Sequence, residues 1–343
     1  MPLALILVRW LHLSASILLA SLLLFEEAIV LPAVRKPSAG IGQLLDTSQR
    51  RTFRAAWWTL LVAISSWFAW SWLVASTMSG DDLIECLQSG DWWIVLTGTQ
   101  FGHIWLFRLI VSAVFGIILW LAARKPRRQS FLKTTLAGLS IIQLLSLAWA
   151  GHGAASPGRF GVVHLLGDAL HLVTAAFWPG ALAPLAAFLG LLIKSSQVEA
   201  IELAAPVVRR FSASSLIAVA ALALTGLLNS IFMVGSFQAL VTSAYGWILV
   251  SKVVLFFAMI GFGAINLFLL KPRIAIDLPR ALAKGDHTTV KGGANARKFN
   301  SVAHRSVQNA TRLLLRNVLS EIGLGTVIIL IVGLLGITPP PMR

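Results

Sequence analysis

The chain has 343 residues, of which 57% are hydrophobic and 12% are charged, and its formal net charge is +15. Soluble domains carry about 25% charged residues, so this composition excludes a soluble globular protein and predicts an integral membrane protein. The basic charge does not indicate a nucleic-acid partner, because it falls in alternate loops between apolar segments. The single cysteine, Cys86, excludes an internal disulfide framework and any CxxC metal site.

Eight apolar segments are long enough to span a bilayer, which takes about 20 residues, and they predict an all-α, polytopic transmembrane helix bundle in one domain. The first segment lacks a basic region and a cleavage site, and Arg9 and His12 interrupt it, so we expect it to be retained as a helix. Pro179 and Pro184 are expected to kink the fifth helix. The predicted helices cover residues 3–31, 54–77, 103–123, 131–150, 162–193, 211–234, 246–270 and 314–337.

The loops predict how the helices are oriented in the membrane. Twenty-three of the 28 lysines and arginines lie in or beside the loops that follow helices 1, 3, 5 and 7, whereas the opposite side has only Arg159 and Arg343. Because lysine and arginine accumulate on the cytoplasmic side, both termini are expected outside, in the periplasm. Residues 271–312 then form a basic cytoplasmic loop that can attract anionic membrane lipid.

This orientation places most candidate metal ligands on the outer side of the membrane. His287 and His304 lie in the cytoplasmic loop, and the other five of the seven histidines map outside. Imidazole and thioether groups suit copper, and imidazole alone also suits zinc or haem iron. The outer candidates are His12, His103, His152, His164 and His171, with Met78 and Met233 as weaker ones.

Helix 5 carries the most informative group of polar residues. His164, Asp168 and His171 are spaced i, i+4 and i+7, which places all three on one helix face. Polar groups in an apolar span are costly and usually functional, so we expect a metal site on this face. His12 lies in helix 1 at a similar depth in the membrane, which predicts a site between helices 1 and 5. Asp168 is either a ligand or an acceptor that orients a histidine.

Other polar residues in the helices leave alternatives open. Arg9, Arg108 and Lys252 either extend to the interface or pair with Asp168. On the inner side, Glu321 either pairs with Arg316 or forms part of an exit path for an ion. Further candidates to carry an ion across the bilayer are Glu27, Asn229 and Asn266.

An ordered set of short motifs resembles one known family, copper resistance protein D (CopD). No motif is specific alone, but their order along the eight helices is. The resemblance includes the opening helix with His12, Gly151-His152-Gly153, the His164-Leu-Leu-Gly-Asp168-Ala-Leu-His171 helix, Arg210-Phe211-Ser212, Leu224-Thr225-Gly226-Leu-Leu-Asn229, Tyr245-Gly246 with Lys252, Asn266 with Lys271-Pro272-Arg273, and Leu313 to Pro340 with Glu321. Two departures are Pro179, where the family usually continues Leu-Gly-Gly, and a longer loop 271–312.

The resemblance implies a bacterial inner-membrane protein that handles copper, taking it from a separate periplasmic carrier of the CopC type into the cytoplasm. We expect the copper to be Cu(I) and the protein to have no enzymatic activity. His103, His152 and His164 would receive the copper, and His171 and His12 would form a deeper site tuned by Asp168. The chain has no GxxxxGK[ST] motif, so transport would follow a gradient or be coupled to ions.

Two other functions are compatible with the same residues. Two histidines from different helices can hold the iron of haem b, with Arg9, Arg108 and Lys252 receiving propionates; this would be an electron-transfer protein or a porphyrin oxidase of the HemJ type. A sensor or assembly scaffold with a structural metal is the second alternative.

Overall fold

The computed structural model describes residues 2–34, 39–124, 130–150, 158–195, 198–272 and 293–341. The side chains of residues 39, 150, 158–160, 198–202 and 293–307 are not among those described. Within these ranges the chain forms helices and turns without any strand, which confirms the all-α prediction.

We number the α-helices in chain order, leaving out the three-residue helix Leu31–Ala33. A π-helical turn at Phe25–Val30 and this short helix continue the first helix, α1 (Pro2–Leu24), and a π-helical turn at Asn266–Leu270 continues α11 (Ala244–Ile265). The helices are α1 Pro2–Leu24, α2 Ala39–Ser79, α3 Leu83–Gln88, α4 Asp91–Gly98, α5 Gln100–Arg124, α6 Ser130–Leu145, α7 Gly158–Ala175, α8 Leu182–Lys194, α9 Val198–Val234, α10 Phe237–Thr242, α11 Ala244–Ile265 and α12 Gly293–Leu335.

Eight helical segments are long and apolar enough to cross a membrane, which confirms the predicted number of spans. In chain order, the eight spans contain α1, α2, α5, α6, the pair α7 and α8, α9, α11 and α12. The segments are Pro2–Ala33, Gly40–Ser79, Gln100–Arg124, Ser130–Trp149, Gly161–Lys194, Leu203–Val234, Ala244–Leu270 and Gln308–Leu335. The outward orientation of the termini stays a prediction.

Several helices are longer than hydropathy predicts. Helix α2 begins at Ala39, before the expected residue 54, and α12 begins at Gly293, inside the segment 271–312 expected to be a loop. Hydropathy identifies only the part of a helix that lies in lipid, whereas the backbone hydrogen bonds of the helix continue beyond the membrane. The acidic segment after α2 also forms the short helices α3 and α4, and the Asp82 side chain caps α3 by accepting from the backbone N–H groups of Ile84 and Glu85 at 2.9 Å.

The fifth span is broken near its middle, as the prolines predict. Pro179 has no backbone N–H to donate, and the chain forms a π-helical turn at Ala176–Gly180 before α8 begins. Ser21 of α1 donates a hydrogen bond to Ala176 O at 2.9 Å. The break therefore lies against α1, inside the bundle. Pro184 lies in the first turn of α8, where a helix tolerates proline.

Helix α1 is the central helix of the bundle. It packs against α2 and α6 on one side and against α12 and the π-helical turn of the fifth span on the other. Helix α5 packs on α2 and α6, and α9 packs on α7. We therefore call α1, α2, α5 and α6 the N-terminal half, and α7, α8, α9, α11 and α12 the C-terminal half.

Candidate metal-binding site

Two glycines let α7 and α9 approach each other closely. A Cβ on Gly167 would lie 3.0 Å from Leu228 Cδ2 and 3.2 Å from Asn229 Oδ1. A Cβ on Gly226 would lie 3.4 Å from His171 Cε1. Small residues at such crossings allow side chains on neighbouring helices to form hydrogen bonds. This crossing brings the polar residues of α7 against those of α9.

Asp168 is the centre of the polar cluster at this crossing. Asn229 Nδ2 donates a hydrogen bond to Asp168 Oδ1 at 2.6 Å, and His164 Nε2 lies 3.8 Å from Asp168 Oδ2. Lys252 of α11 interacts electrostatically with the same carboxylate. Of the three cations considered as partners for Asp168, Lys252 is therefore the one that the fold brings to it.

His171 has one ring nitrogen engaged and one available. Its Nδ1 lies 2.9 Å from Thr225 Oγ1, and this hydroxyl itself donates to Ala221 O at 2.7 Å. Because the hydroxyl proton is committed to Ala221 O, His171 Nδ1 must be the donor to Thr225 Oγ1. The lone pair of the neutral ring is then on Nε2, where it can bind a ligand.

His164 presents a buried lone pair without a partner. The residue is 2% exposed, and its ring stacks on Phe232 with centroids 4.8 Å apart. A proton on Nε2, which faces the Asp168 carboxylate, leaves the lone pair on Nδ1. His164 Nδ1 and Asn229 Oδ1 are both buried and have no hydrogen-bond partner. Leaving such an atom without a partner costs about 1–3 kcal/mol, and a bound cation would provide a partner for the imidazole nitrogen or for the amide oxygen.

The cluster has the donor types of a metal site without a closed coordination sphere. Imidazole nitrogens, an amide oxygen and a carboxylate lie together where α7 and α9 cross. Across the described ranges, no three His, Cys, Asp or Glu side chains are grouped closely enough to hold a metal ion. His152 was predicted as a further ligand and lies outside those ranges.

His12 belongs to a different cluster, in the N-terminal half. His12 Nε2 accepts a hydrogen bond from Arg108 Nη2 at 2.7 Å, and His12 Nδ1 lies 3.0 Å from Ser66 Oγ and 3.2 Å from Ala63 O. Both ring nitrogens are therefore engaged, and the ring stacks on Trp105. In this arrangement His12 has no nitrogen free for a metal ion. Its contacts are with α2 and α5, rather than with α7.

Arg108 is fully buried and holds this second cluster together. Its Nη1 donates to Gln143 O and to Ser146 Oγ, and its Nη2 also donates to Ser16 Oγ at 3.2 Å. No carboxylate oxygen lies within 4 Å of it in the part of the chain that the structure describes. The contact between Arg108 and His12 is not among the pairings predicted from the sequence.

A signal for the second cluster is nevertheless present in the sequence. His12 and Ser16, and likewise Arg108 and Ser112, are spaced i, i+4, and Gln143 and Ser146 are spaced i, i+3. Such spacing places both members of each pair on one helix face. Three spans therefore each have a polar patch, and each patch needs a polar partner on a neighbouring helix.

The remaining predicted ligands are dispersed. His103 is exposed, and its Nε2 lies 2.7 Å from Thr97 O. Met78 is 58% exposed, and Met233 packs beside Val234 and Tyr245. Cys86 is buried in an apolar cluster near Ala75 and Val95.

Comparisons with known protein families identify the relatives of this chain. The family described as Copper resistance protein D-like, N-terminal domain, matches residues 1–162, and the family described as Copper resistance protein D matches residues 205–335. Together the two matches cover most of the chain.

Individual relatives agree with these matches. Copper resistance protein D of Pseudomonas syringae pv. tomato is 29% identical over 220 residues, which are 63% of this chain and 67% of that protein. Inner membrane protein YebZ of Escherichia coli (strain K12) is 29% identical over 227 residues, 66% of this chain and 72% of that protein. Copper transport protein CutJ of Bacillus subtilis (strain 168) is 34% identical over 185 residues, 54% of this chain but 33% of that protein.

No solved structure matches the chain. The eight spans, the two family matches and the named relatives agree with one another, and they confirm the resemblance first seen in the motifs. This chain is a multi-pass inner-membrane protein that belongs to the copper resistance protein D family.

Proposed function

We propose that this protein binds copper ions at the Asp168 cluster and transports them across the bacterial inner membrane, contributing to copper homeostasis and resistance. The observation that carries the proposal is the pair of buried, unpartnered atoms beside Asp168, His164 Nδ1 and Asn229 Oδ1. Both carry lone pairs that a cation can use, and the tautomer of His171 leaves a further lone pair on its Nε2, about two turns beyond His164 along α7.

The names of the relatives support copper as the cargo. One relative is named for copper resistance and another for copper transport. Neutral imidazole is a good copper ligand, and the geometry at His171 keeps that ring in one tautomer. We propose Cu(I) as the transported form, in agreement with the family resemblance. The proposed role is movement of an ion, without an enzymatic step.

Charge balance gives the cluster a way to exchange its cargo. In the absence of a metal ion, Lys252 and Asn229 compensate the charge of Asp168. An arriving copper ion provides a competing positive charge, which weakens the interaction of the carboxylate with Lys252. Binding then depends on displacing an internal cation, and release restores it.

We propose import as the direction of transport. The charge bias of the loops predicts that the start of α7 is on the periplasmic side, and in that orientation His164 is nearer the periplasm than His171. A separate periplasmic carrier of the CopC type would deliver copper there, and His152 and His103 would be the first residues to meet it.

The first experiment combines a visible spectrum with elemental analysis on detergent-purified protein, before and after copper loading. We expect a colourless protein that takes up copper and loses this uptake in the His164→Ala/His171→Ala variant. His287→Ala and His304→Ala are matched histidine controls and are expected to bind normally. Unchanged copper stoichiometry and affinity in the double variant would contradict the assigned site.

The same sample separates the alternatives. A Soret band with near-stoichiometric iron would identify a haem protein and overturn the proposal. If the protein retained zinc in preference to copper, the proposed cargo would be zinc. Copper binding without copper entry into proteoliposomes would indicate a sensor or scaffold instead of a transporter.

A further inference from the structure

One face of α11, continued by the π-helical turn Asn266–Leu270, carries polar or sulfur-containing side chains at three depths of the membrane. Lys252, Met259 and Asn266 follow one another at intervals of seven residues. Seven residues are close to two helical turns, so the three side chains share a face and are separated by about 10 Å along the axis. The rest of α11 is strongly apolar. This face begins at the Asp168 cluster, because Lys252 interacts with Asp168.

The middle position, Met259, lies where three spans converge. The residue is 1% exposed. A Cβ on Gly325 of α12 would lie 3.9 Å from Met259 Sδ and 3.9 Å from Pro179 Cβ. The thioether therefore faces both α12 and the π-helical turn of the fifth span. Interrupted helices at mid-membrane depth are where transporters place substrate sites.

The inner position, Asn266, connects α11 to a buried carboxylate on α12. Asn266 Nδ2 donates to Glu321 Oε1 at 2.5 Å, and Asn317 Nδ2 donates to Asn266 Oδ1 at 3.0 Å. Glu321 is 1% exposed. A Cβ on Gly263 would lie 3.9 Å from Glu321 Oε2, so a glycine of α11 faces the second carboxylate oxygen.

No lysine, arginine or histidine nitrogen lies within 4 Å of Glu321 among the residues whose side chains are described. A carboxylate in a membrane span is costly, and such residues commonly mark ion or proton pathways. Arg316, which the sequence suggests as a partner for Glu321, is exposed. Glu321 thus offers a carboxyl group at the inner end of the α11 face.

We infer that this face of α11 lines the translocation route, with Met259 as an intermediate sulfur ligand and Glu321 as the inner counter-charge for the ion. This inference rests on the proposed copper transport. A thioether is a soft ligand that favours Cu(I) over hard cations, and Met259 lies between the imidazoles of α7 and the inner carboxylate. Glu321 lowers the electrostatic energy of a cation that has left the Asp168 cluster.

The test separates copper binding from copper movement. Purified protein is reconstituted into liposomes, Cu(I) is supplied outside, and internal copper is measured with time by elemental analysis. Copper binding in detergent is measured on the same preparations. The variants are Met259→Leu, which keeps the volume and removes sulfur, Met259→Cys, which restores a sulfur ligand, and Glu321→Gln. The matched control is Glu26→Gln, because Glu26 is also buried in a span but interacts electrostatically with Lys133 on α6.

We expect Met259→Leu and Glu321→Gln to bind copper normally and to lower the initial rate of uptake about 10-fold or more. Met259→Cys is expected to recover part of the rate, and Glu26→Gln to transport like the unmodified protein. Normal uptake by both Met259→Leu and Glu321→Gln, with His171→Ala inactive, would overturn the route and leave the proposed function intact. Absence of uptake by the unmodified protein would overturn both.

Discussion

Gly180 lies where α1 meets the break in the fifth span, and we expect an alanine there to destabilise the protein. A Cβ on Gly180 would lie 2.2 Å from Ser21 Oγ and 2.7 Å from Ile17 Cγ2, distances that real Cβ atoms do not adopt. Ser21 cannot move away freely, because its hydroxyl is hydrogen-bonded to Ile17 O and Ala176 O. Overpacking of this kind costs about 1–3 kcal/mol, so Gly180→Ala should lower the free energy of unfolding by about that amount.

Gly190→Ala is the matched control, because Gly190 lies in α8 of the same span and a Cβ there has no atom within 4 Å. Alanine in a helix interior is favoured over glycine by about 1 kcal/mol, so this variant should be as stable as the unmodified protein or more stable. Thermal unfolding in detergent, followed by tryptophan fluorescence, gives Tm for each. We expect Gly180→Ala to lower Tm by several degrees.

A double-variant cycle identifies the cause of the loss. Ser21→Gly removes the oxygen that the new methyl group would meet, so Gly180→Ala should be less harmful in that background. An equal loss of Tm in both backgrounds would refute the assigned contact. Unchanged Tm on Gly180→Ala alone would refute the close approach of α1 and the π-helical turn.

Two further outcomes follow from the structure. Thr225→Val removes the acceptor that fixes the tautomer of His171, and we expect copper affinity to fall about 10- to 100-fold. Thr326→Val is the control and should leave the affinity unchanged, because the Thr326 hydroxyl bonds only within α12. Equal affinities of the two variants in a copper titration would count against the assigned tautomer. Burial raises the pKa of the Cys86 thiol, so thiolate is scarce at neutral pH and maleimide should label the protein only after denaturation; rapid labelling of the folded protein would contradict this.

The sequence predicts the spans well and the pairing between them poorly. Continuous apolar segments determine which residues lie in lipid, so the number of spans is readable from hydropathy alone. Pairing depends on which helix faces meet. In the sequence Arg9, Arg108 and Lys252 are equal candidates for Asp168, and only the folded chain, in which Lys252 interacts electrostatically with Asp168, distinguishes them.

Spacing rules explain one alternative that the structure settles. Glu321 and Arg316 are five residues apart, and such residues do not share a helix face, whereas i, i+3 and i, i+4 residues do. Glu321 consequently accepts a hydrogen bond from Asn266, in the π-helical turn after α11, and Arg316 is exposed. In contrast, the face formed by His164, Asp168 and His171 could be predicted because its spacing follows the helical repeat.

The buried guanidinium of Arg108 has a consequence for where cations can travel. Arginine stays protonated in proteins, so the N-terminal half contains a fixed positive charge, and among the described residues its hydrogen-bond partners are neutral groups. At about 10 Å and an effective dielectric constant of about 20, this charge raises the energy of a monovalent cation by about 1.7 kcal/mol, which lowers its occupancy about 17-fold. Arg9, stacked on Trp70, adds to the same field. The N-terminal half is therefore an unfavourable location for a cation.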